Sequence, residues 1–303
     1  MMRNIVLPFV VIISLIGISG EVFAGKKKKP QSVILAPIPT SLVVDTKTGK
    51  VLHAENAKER IYPASLTKLM TLYMMFEAID SGKLSMNKRL YVSKKAERIP
   101  PTKLYLKAGE YISVKDAILA LIVKSANDVA IAVAEDMAGS EEAFARRMTI
   151  KAFQLGMRDT NFTNSHGLHH NAQKATAIDL AKLSIALKRD FPRFYPLFAK
   201  NSFEFRGKKV NGHNRVTANY KYAEGLKTGF TTPSGFNLVT TASRGNKSLV
   251  GVVTGGKSAS QRDQKMVKLL DKHFGVESKQ IKTKKLSPKI VSNYKKKKYA
   301  AGG

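Results

Sequence analysis

The chain has 303 residues, no cysteine, and 52 lysines and arginines against 22 aspartates and glutamates, a formal charge of +30. The absence of thiols excludes disulfides, thiol catalysis and cysteine-based metal sites. The length suffices for one large core or two intimately packed lobes.

At the N-terminus Arg3 precedes an apolar stretch from Ile5 to Ile18, which ends at Val22-Phe23-Ala24. This is the order of a charged segment, an apolar segment and a small-residue cleavage site, so residues 1–24 read as a signal peptide and the chain as exported. A membrane anchor is the competing reading. Pro8, Ser14 and Gly17 interrupt the stretch, however, and it falls short of the about 20 residues of a comfortable span. Residues 25–37, with Lys26 to Lys29, follow as a basic linker.

Leu42-Val43-Val44 and Val51-Leu52 flank Lys47-Thr48-Gly49, which marks a β-hairpin and its turn. Beyond Tyr62-Pro63-Ala64, Ser65 opens a segment in which Leu66, Leu69, Met70, Tyr73 and Met74 recur at helical spacing. The proline sits near the helix start, where its missing N–H costs nothing. Ser65 is thereby placed in a first turn, at the positive end of the helix dipole, with Lys68 on the same face. A serine hydroxyl is a poor nucleophile until a base takes its proton, and a lysine partly desolvated among other cations has its pKa lowered enough to be that base. Alone, Ser-x-x-Lys is more simply a capping serine beside a surface lysine, and the pattern recurs at Ser85-Lys88 and Ser292-Lys295. Context separates the copies: Ser85 follows Gly82-Lys83-Leu84 without a periodic apolar stripe, and Ser292 lies in a lysine-rich tail.

Ser125-Ala126-Asn127 stands ahead of the apolar run Val129 to Ala134; either Asn127 or Asp128 is a plain N-cap there, or the Ser125 hydroxyl and the Asn127 amide enter a cleft beside Lys68. The region from about Val114 to Lys188 is mostly helical in pattern. Within it, Thr176 and Asp179 read as a capping pair for a helix from Ile178 to Leu187. His166, His169 and His170 lack the spacing of zinc ligands and read as loop residues, so no metal and no cofactor are expected. Lys227-Thr228-Gly229 precedes strand-like residues from Phe236 to Thr254, with Arg244-Gly245-Asn246 as a turn. A cationic side chain and a hydroxyl on a strand edge suit a carboxylate, and Gly229 admits close backbone approach.

Strand-like segments lie near both ends, so they are expected to pair in one antiparallel sheet with a helical lobe inserted between them, an α+β architecture with a cleft at the junction. Residues 276–303 carry nine lysines and a single acidic residue, Glu277. This tail reads as a solvated segment that contacts an anionic membrane or an acidic wall polymer, each lysine near a charged membrane contributing about 1 kcal/mol. The charge alone also suits nucleic acid, but no nucleic-acid-binding motif occurs and the chain reads as exported, so no such partner is expected.

The ordered motifs at Ser65, Ser125 and Lys227 do not stand alone. They are joined by Ser41-Leu42-Val43-Val44-Asp45, Asn164-Ser165-His166-Gly167-Leu168, Ala175-Thr176-Ala177-Ile178-Asp179-Leu180-Ala181 and Gly225-Leu226. Together they resemble the serine D-Ala-D-Ala carboxypeptidases among the low-molecular-mass penicillin-binding proteins, related by fold to class A β-lactamases. The resemblance covers roughly Ile38 to Gly275, and residues 38–275 are accordingly read as the catalytic domain. It implies a β-lactamase/transpeptidase-like fold, an antiparallel sheet flanked by helices with an inserted all-helical lobe.

The resemblance also implies acyl transfer on peptidoglycan stem peptides in the periplasm or cell envelope, with β-lactam antibiotics as inhibitors. Ser65 would attack the carbonyl between the two terminal D-alanines, with Lys68 as general base. Ser125 and Asn127 would assist proton transfer and hold the substrate, and Lys227 and Thr228, with Gly229 and Phe230 beside them, would bind its terminal carboxylate. The oxyanion hole it implies is the pair of backbone N–H groups of Ser65 and Phe230. Phe230 departs from members that carry a polar residue there. A D,D-endopeptidase would use the same motifs. A non-catalytic penicillin-sensing module is disfavoured by the complete motif set, and a β-lactamase by the lack of a glutamate motif for deacylation between Asn127 and Lys227.

Overall fold

The computed structural model describes residues 36–276; the signal-peptide segment, residues 25–35 of the basic linker and residues 277–303 of the tail lie outside the described residues. In chain order, strands β1 (Thr40–Asp45) and β2 (Val51–Glu55) form a hairpin, and a single 3-10 turn (Ala64–Thr67) runs into helix α1 (Lys68–Asp80). A helical region interrupted by short strands follows: β3 (Arg89–Tyr91), α2 (Lys94–Arg98), β4 (Tyr111–Ser113), α3 (Val114–Leu119), α4 (Asn127–Ala138), α5 (Glu141–Gln154) and α6 (Ala177–Asp190). The chain then forms β5 (Ser202–Phe205), β6 (Lys208–Asn211) and α7 (Arg215–Asn219). It ends in β7 (Ala223–Thr231), β8 (Gly235–Arg244), β9 (Lys247–Gly256) and α8 (Ala259–Phe274).

The two ends pair as the sequence suggests. The five-stranded sheet runs β2-β1-β9-β8-β7, every neighbour antiparallel, so the N-terminal hairpin docks on β9 and leaves β7 at an edge. In the hairpin turn, Asp45 Oδ1 accepts from the N–H groups of Lys47 and Thr48, both at 2.9 Å, and Gly49 has φ +72°. The Lys-Thr-Gly copy at residues 47–49 is thus consumed by a turn.

Alternation along the strands splits the apolar side chains between two faces. Val43, Leu238, Ala242, Leu249 and Val253 pack with Met266, Val267, Leu270 and Phe274 of α8. Leu42, Val44, Val239, Val250 and Val252 join the larger core built with α1, α4, α5 and α6. Helix α1 is buried continuously from Lys68 to Phe76, rather than along one stripe. A helix apolar nearly all round is a central helix, and this one carries a lysine into the core.

Two local expectations are corrected. Ser65 lies in the 3-10 turn before α1, not in the first turn of the α-helix itself. Thr176 does cap α6, its Oγ1 accepting from the Asp179 N–H at 3.1 Å, but the reciprocal half of the capping box is absent. An aspartate is one methylene shorter than the glutamate of that motif. The Asp179 carboxylate instead takes the Asp159 N–H at 3.0 Å and the Thr160 hydroxyl at 2.9 Å, tying down the chain that precedes residues 163–168.

Candidate active site

The backbone at Ser65 is held from two sides. Ala64, immediately before it, has φ +50°, a left-handed conformation unfavourable to an alanine and kept by its surroundings. On one side lies Gly229 of β7: a Cβ there would come 3.0 Å from Ser65 N and 3.1 Å from Pro63 O. On the other lies Gly167, where φ is +90° and a Cβ would fall 1.9 Å from Ala64 O. Asn237 of β8 fixes the approach to this point. Its Nδ2 donates to Tyr62 O at 3.0 Å and to Pro63 O at 3.3 Å, while its Oδ1 accepts from the Gly255 N–H at 3.1 Å.

Lys68 is fully buried, and its Nζ lies 3.1 Å from Ser65 Oγ, 2.7 Å from Asn127 Oδ1 and 2.6 Å from the His166 carbonyl oxygen. Burial holds its pKa well below the usual lysine range, the charge of Lys227 adds to this, and Asp128 opposes it. The amine is therefore biased toward its neutral form. In that form its two N–H groups satisfy the two carbonyl oxygens, and its lone pair is left for the Ser65 hydroxyl.

Asn127 is oriented from behind, its Nδ2 donating to Pro100 O at 2.9 Å, which turns its oxygen toward Lys68. Neither Asn127 nor Asp128 is the N-cap of α4; that position is Ala126, without a side-chain cap. Buried Asp128 accepts from the N–H groups of Leu104 (3.1 Å), Leu106 (3.2 Å) and Val129 (3.0 Å), so it fastens the loop through residues 101–106 to the start of the helix. Ser125 ends a π turn (Ala120–Lys124) in a left-handed conformation with φ +61°. Its buried Oγ has no hydrogen-bond partner among the described residues.

On β7 the side chains alternate between interior and cleft. Lys227 is buried, its Nζ donates to Thr228 O at 3.1 Å, and burial, with the nearby Arg262 charge, brings its pKa down to about 7. Thr228 lines the cleft. Phe230 is half exposed and packs against Phe236, with ring centroids 4.3 Å apart and the planes tilted by 31°.

These groups meet in one cleft of about 610 Å³, whose lining includes Ser65, Ser125, Asn127, Thr228, Gly229 and Phe230. Lys68 and Lys227 lie behind that lining. Sequence reasoning missed Arg215, Arg262 and His213, which also line it. Arg262 Nε donates to Asp263 Oδ1 at 2.9 Å and Arg215 Nε to Asp263 Oδ2 at 2.9 Å, so one carboxylate holds two cations at the cleft. No motif marks these residues, which only the packing of α7 and α8 brings together. Among the histidines singled out, His166 is buried and His169 packs edge-on to Tyr62 at 4.6 Å. Among the described residues no group of three or more side chains is disposed to hold a metal.

Comparison with known proteins identifies the family and the fold. Residues 32–258 match the D-alanyl-D-alanine carboxypeptidase family, peptidase S11. The chain is 30% identical over 278 residues to the D-alanyl-D-alanine carboxypeptidase DacF of Bacillus subtilis, covering 90% of this chain and 71% of that protein. It spans 59% to 65% of the length of several other curated carboxypeptidases that it matches. Among solved structures, penicillin binding protein 5 from Haemophilus influenzae superposes with a TM-score of 0.76 at 32% identity, covering 82% of this chain and 72% of that one. Penicillin-binding protein D2 from Listeria monocytogenes, in its ampicillin-bound form, superposes with a TM-score of 0.71 at 30% identity, covering 78% and 96%.

Proposed function

The chain belongs to the D-alanyl-D-alanine carboxypeptidase family of serine peptidases, and from that premise we propose that it is a D,D-carboxypeptidase that removes the terminal D-alanine of peptidoglycan stem peptides through an acyl-enzyme. The observation that carries this reading is the buried Lys68 amine, 3.1 Å from Ser65 Oγ and biased toward neutrality.

Lys68 takes the Ser65 proton as Oγ attacks the carbonyl carbon of the penultimate D-alanine. Negative charge then develops on the carbonyl oxygen, where the backbone N–H groups of Ser65 and Phe230 are proposed to receive it. The C–N bond breaks, and the departing amine takes a proton delivered by way of Lys68 and Ser125, whose unpartnered hydroxyl lines the cleft. Asn127 holds the substrate amide. Water hydrolyses the ester, returning the proton to Ser65. The terminal carboxylate is received by Thr228 and Lys227, with Arg262 and Arg215 supplying further positive charge. A β-lactam would acylate Ser65 by the same attack, its ring amide opening in place of the peptide bond.

The setting proposed is the cell envelope, supported by the N-terminal leader pattern. The lysine-rich residues 276–303 are proposed to attach electrostatically to an anionic surface, so binding to anionic vesicles should weaken as salt shortens the screening length below about 8 Å. Digestion of purified peptidoglycan with separation of products tests the activity. Loss of monomeric pentapeptide with release of D-alanine is expected. Loss of cross-links instead would make the chain an endopeptidase, and unchanged muropeptides would exclude both.

A further inference from the structure

We propose that Glu141 is a positioning residue for the general base, acting through the Ser165-His166 peptide; the proposal rests on the reading of Lys68 as that base. Glu141 is the first residue of α5, where the helix dipole favours negative charge, and it is buried. It does not line the cleft. A buried carboxylate is costly unless its oxygens are satisfied, and here a single oxygen receives most of the donors. Oε1 accepts from the Ser165 N–H at 3.1 Å, the Ser165 hydroxyl at 2.8 Å and His166 Nε2 at 3.1 Å, while Oε2 faces Lys95 Nζ at 3.1 Å.

Those three donors come from two consecutive residues, so they fix both the backbone and the ring of the segment. The Leu168 N–H donates to His166 Nδ1 at 3.0 Å, which assigns the ring proton to Nε2 and makes it a donor to Glu141. On the opposite side of the same segment, Ser165 O accepts from the Thr71 hydroxyl at 2.7 Å and His166 O accepts from Lys68 Nζ at 2.6 Å. The His166 carbonyl is one of the two carbonyls that orient the Lys68 amine, and Glu141 sets its direction from behind. The next residue, Gly167, abuts the Ala64 carbonyl before the nucleophile. One strut therefore reaches both the base and the serine.

The rest of the loop has its own anchors. Gln173 Oε1 accepts from the Thr163 N–H at 2.6 Å and Asn164 Oδ1 from the Gly167 N–H at 2.7 Å. Loss of Glu141 should therefore release residues 165–166 without unfolding the loop.

Glu141→Ala and Glu141→Gln separate positioning from charge. A glutamine retains an oxygen for all three donors and gives up only the oxygen facing Lys95, which is partly exposed and can turn to solvent. The measurement is saturable acylation by a labelled penicillin, which yields the first-order acylation constant and the dissociation constant of the preceding complex separately, with thermal unfolding of each variant alongside. A misplaced catalytic group costs on the order of 100-fold. Glu141→Ala is expected to lose that much in the acylation constant with the dissociation constant unchanged, and Glu141→Gln to recover most of the rate. Wild-type acylation by a folded Glu141→Ala overturns the proposal, as does a folded Glu141→Gln with acylation as slow as that expected of Glu141→Ala. If Glu141→Ala does not fold, the glutamine variant alone decides. Wild-type protein that is not labelled at Ser65 would instead refute the functional reading on which the proposal stands.

Discussion

The two sides of the nucleophile bury a lysine each and treat it in opposite ways. On the helical side, Lys68 Nζ is matched by Asn127 Oδ1 and His166 O, which accept its two N–H groups, and by the Ser65 hydroxyl, which faces its lone pair. On the sheet side, Lys227 has one hydrogen bond among the described residues, to Thr228 O, so its charged form retains donors for an incoming anion, and burial brings its pKa to about 7. Arg262 and Arg215 add positive charge on that side. The difference teaches a division of labour: the helical side is built to remove a proton, and the sheet side to bind a carboxylate. Damage on the helical side should appear in the acylation rate, and damage on the sheet side in KM.

The largest effect is expected from Lys68→Arg. An arginine stays protonated throughout the working range, so it cannot act as base, and loss of general-base catalysis costs about 10²- to 10⁴-fold. Acylation by labelled penicillin should fall by that amount in a variant that still folds. A near-normal rate would move the base to the other side of the cleft and dissolve the comparison.

Thr228→Val probes the sheet side with little change in shape. A hydrogen bond to a charged group is worth about 1.5–3 kcal/mol, so KM for a D-Ala-D-Ala peptide should rise on the order of 10- to 100-fold with kcat nearly kept. A fall in kcat alone would show that the hydroxyl belongs to the chemistry instead.

A smaller and pH-dependent effect sharpens the same division. Burial lowers the Lys68 pKa, so acylation is lost as pH falls through it and the base becomes protonated. Lys227 works in the other direction: as pH rises through about 7 the free enzyme loses that positive charge, so kcat/KM should decline while kcat holds. A bound carboxylate favours the charged lysine and carries the decline to higher pH in the complex. In Lys227→Arg the alkaline decline of kcat/KM should vanish; its persistence would assign it to another group.

What the sequence made legible follows the same partition. The strands near both ends, the turn at Lys47-Thr48-Gly49 and the pairing of Ser65 with Lys68 rest on local periodicity and short spacings, while the meeting of these two with Asn127 and Thr228 is what the resemblance of the ordered motifs implies. The supports around them do not. Arg262 and Arg215 reach the cleft because Asp263 draws them together across α7 and α8. The His166 carbonyl reaches Lys68 through a backbone atom, which no side-chain motif records. Glu141 looks like an ordinary helix-start acid, and Asn237 like one polar residue in an apolar strand, until the long-range contacts are seen. The left-handed backbone at Ala64 and Ser125 is likewise imposed by tertiary packing, since neither residue type favours it.

Acylation of the protein by a labelled penicillin, followed by peptide mapping of the adduct, tests the central claim most directly, because it reads the nucleophile itself. The expected result is a single adduct on the peptide containing Ser65, absent from Ser65→Ala and formed far more slowly in Lys68→Arg. Label on Ser85 or Ser125, or undiminished labelling of Ser65→Ala, would contradict it.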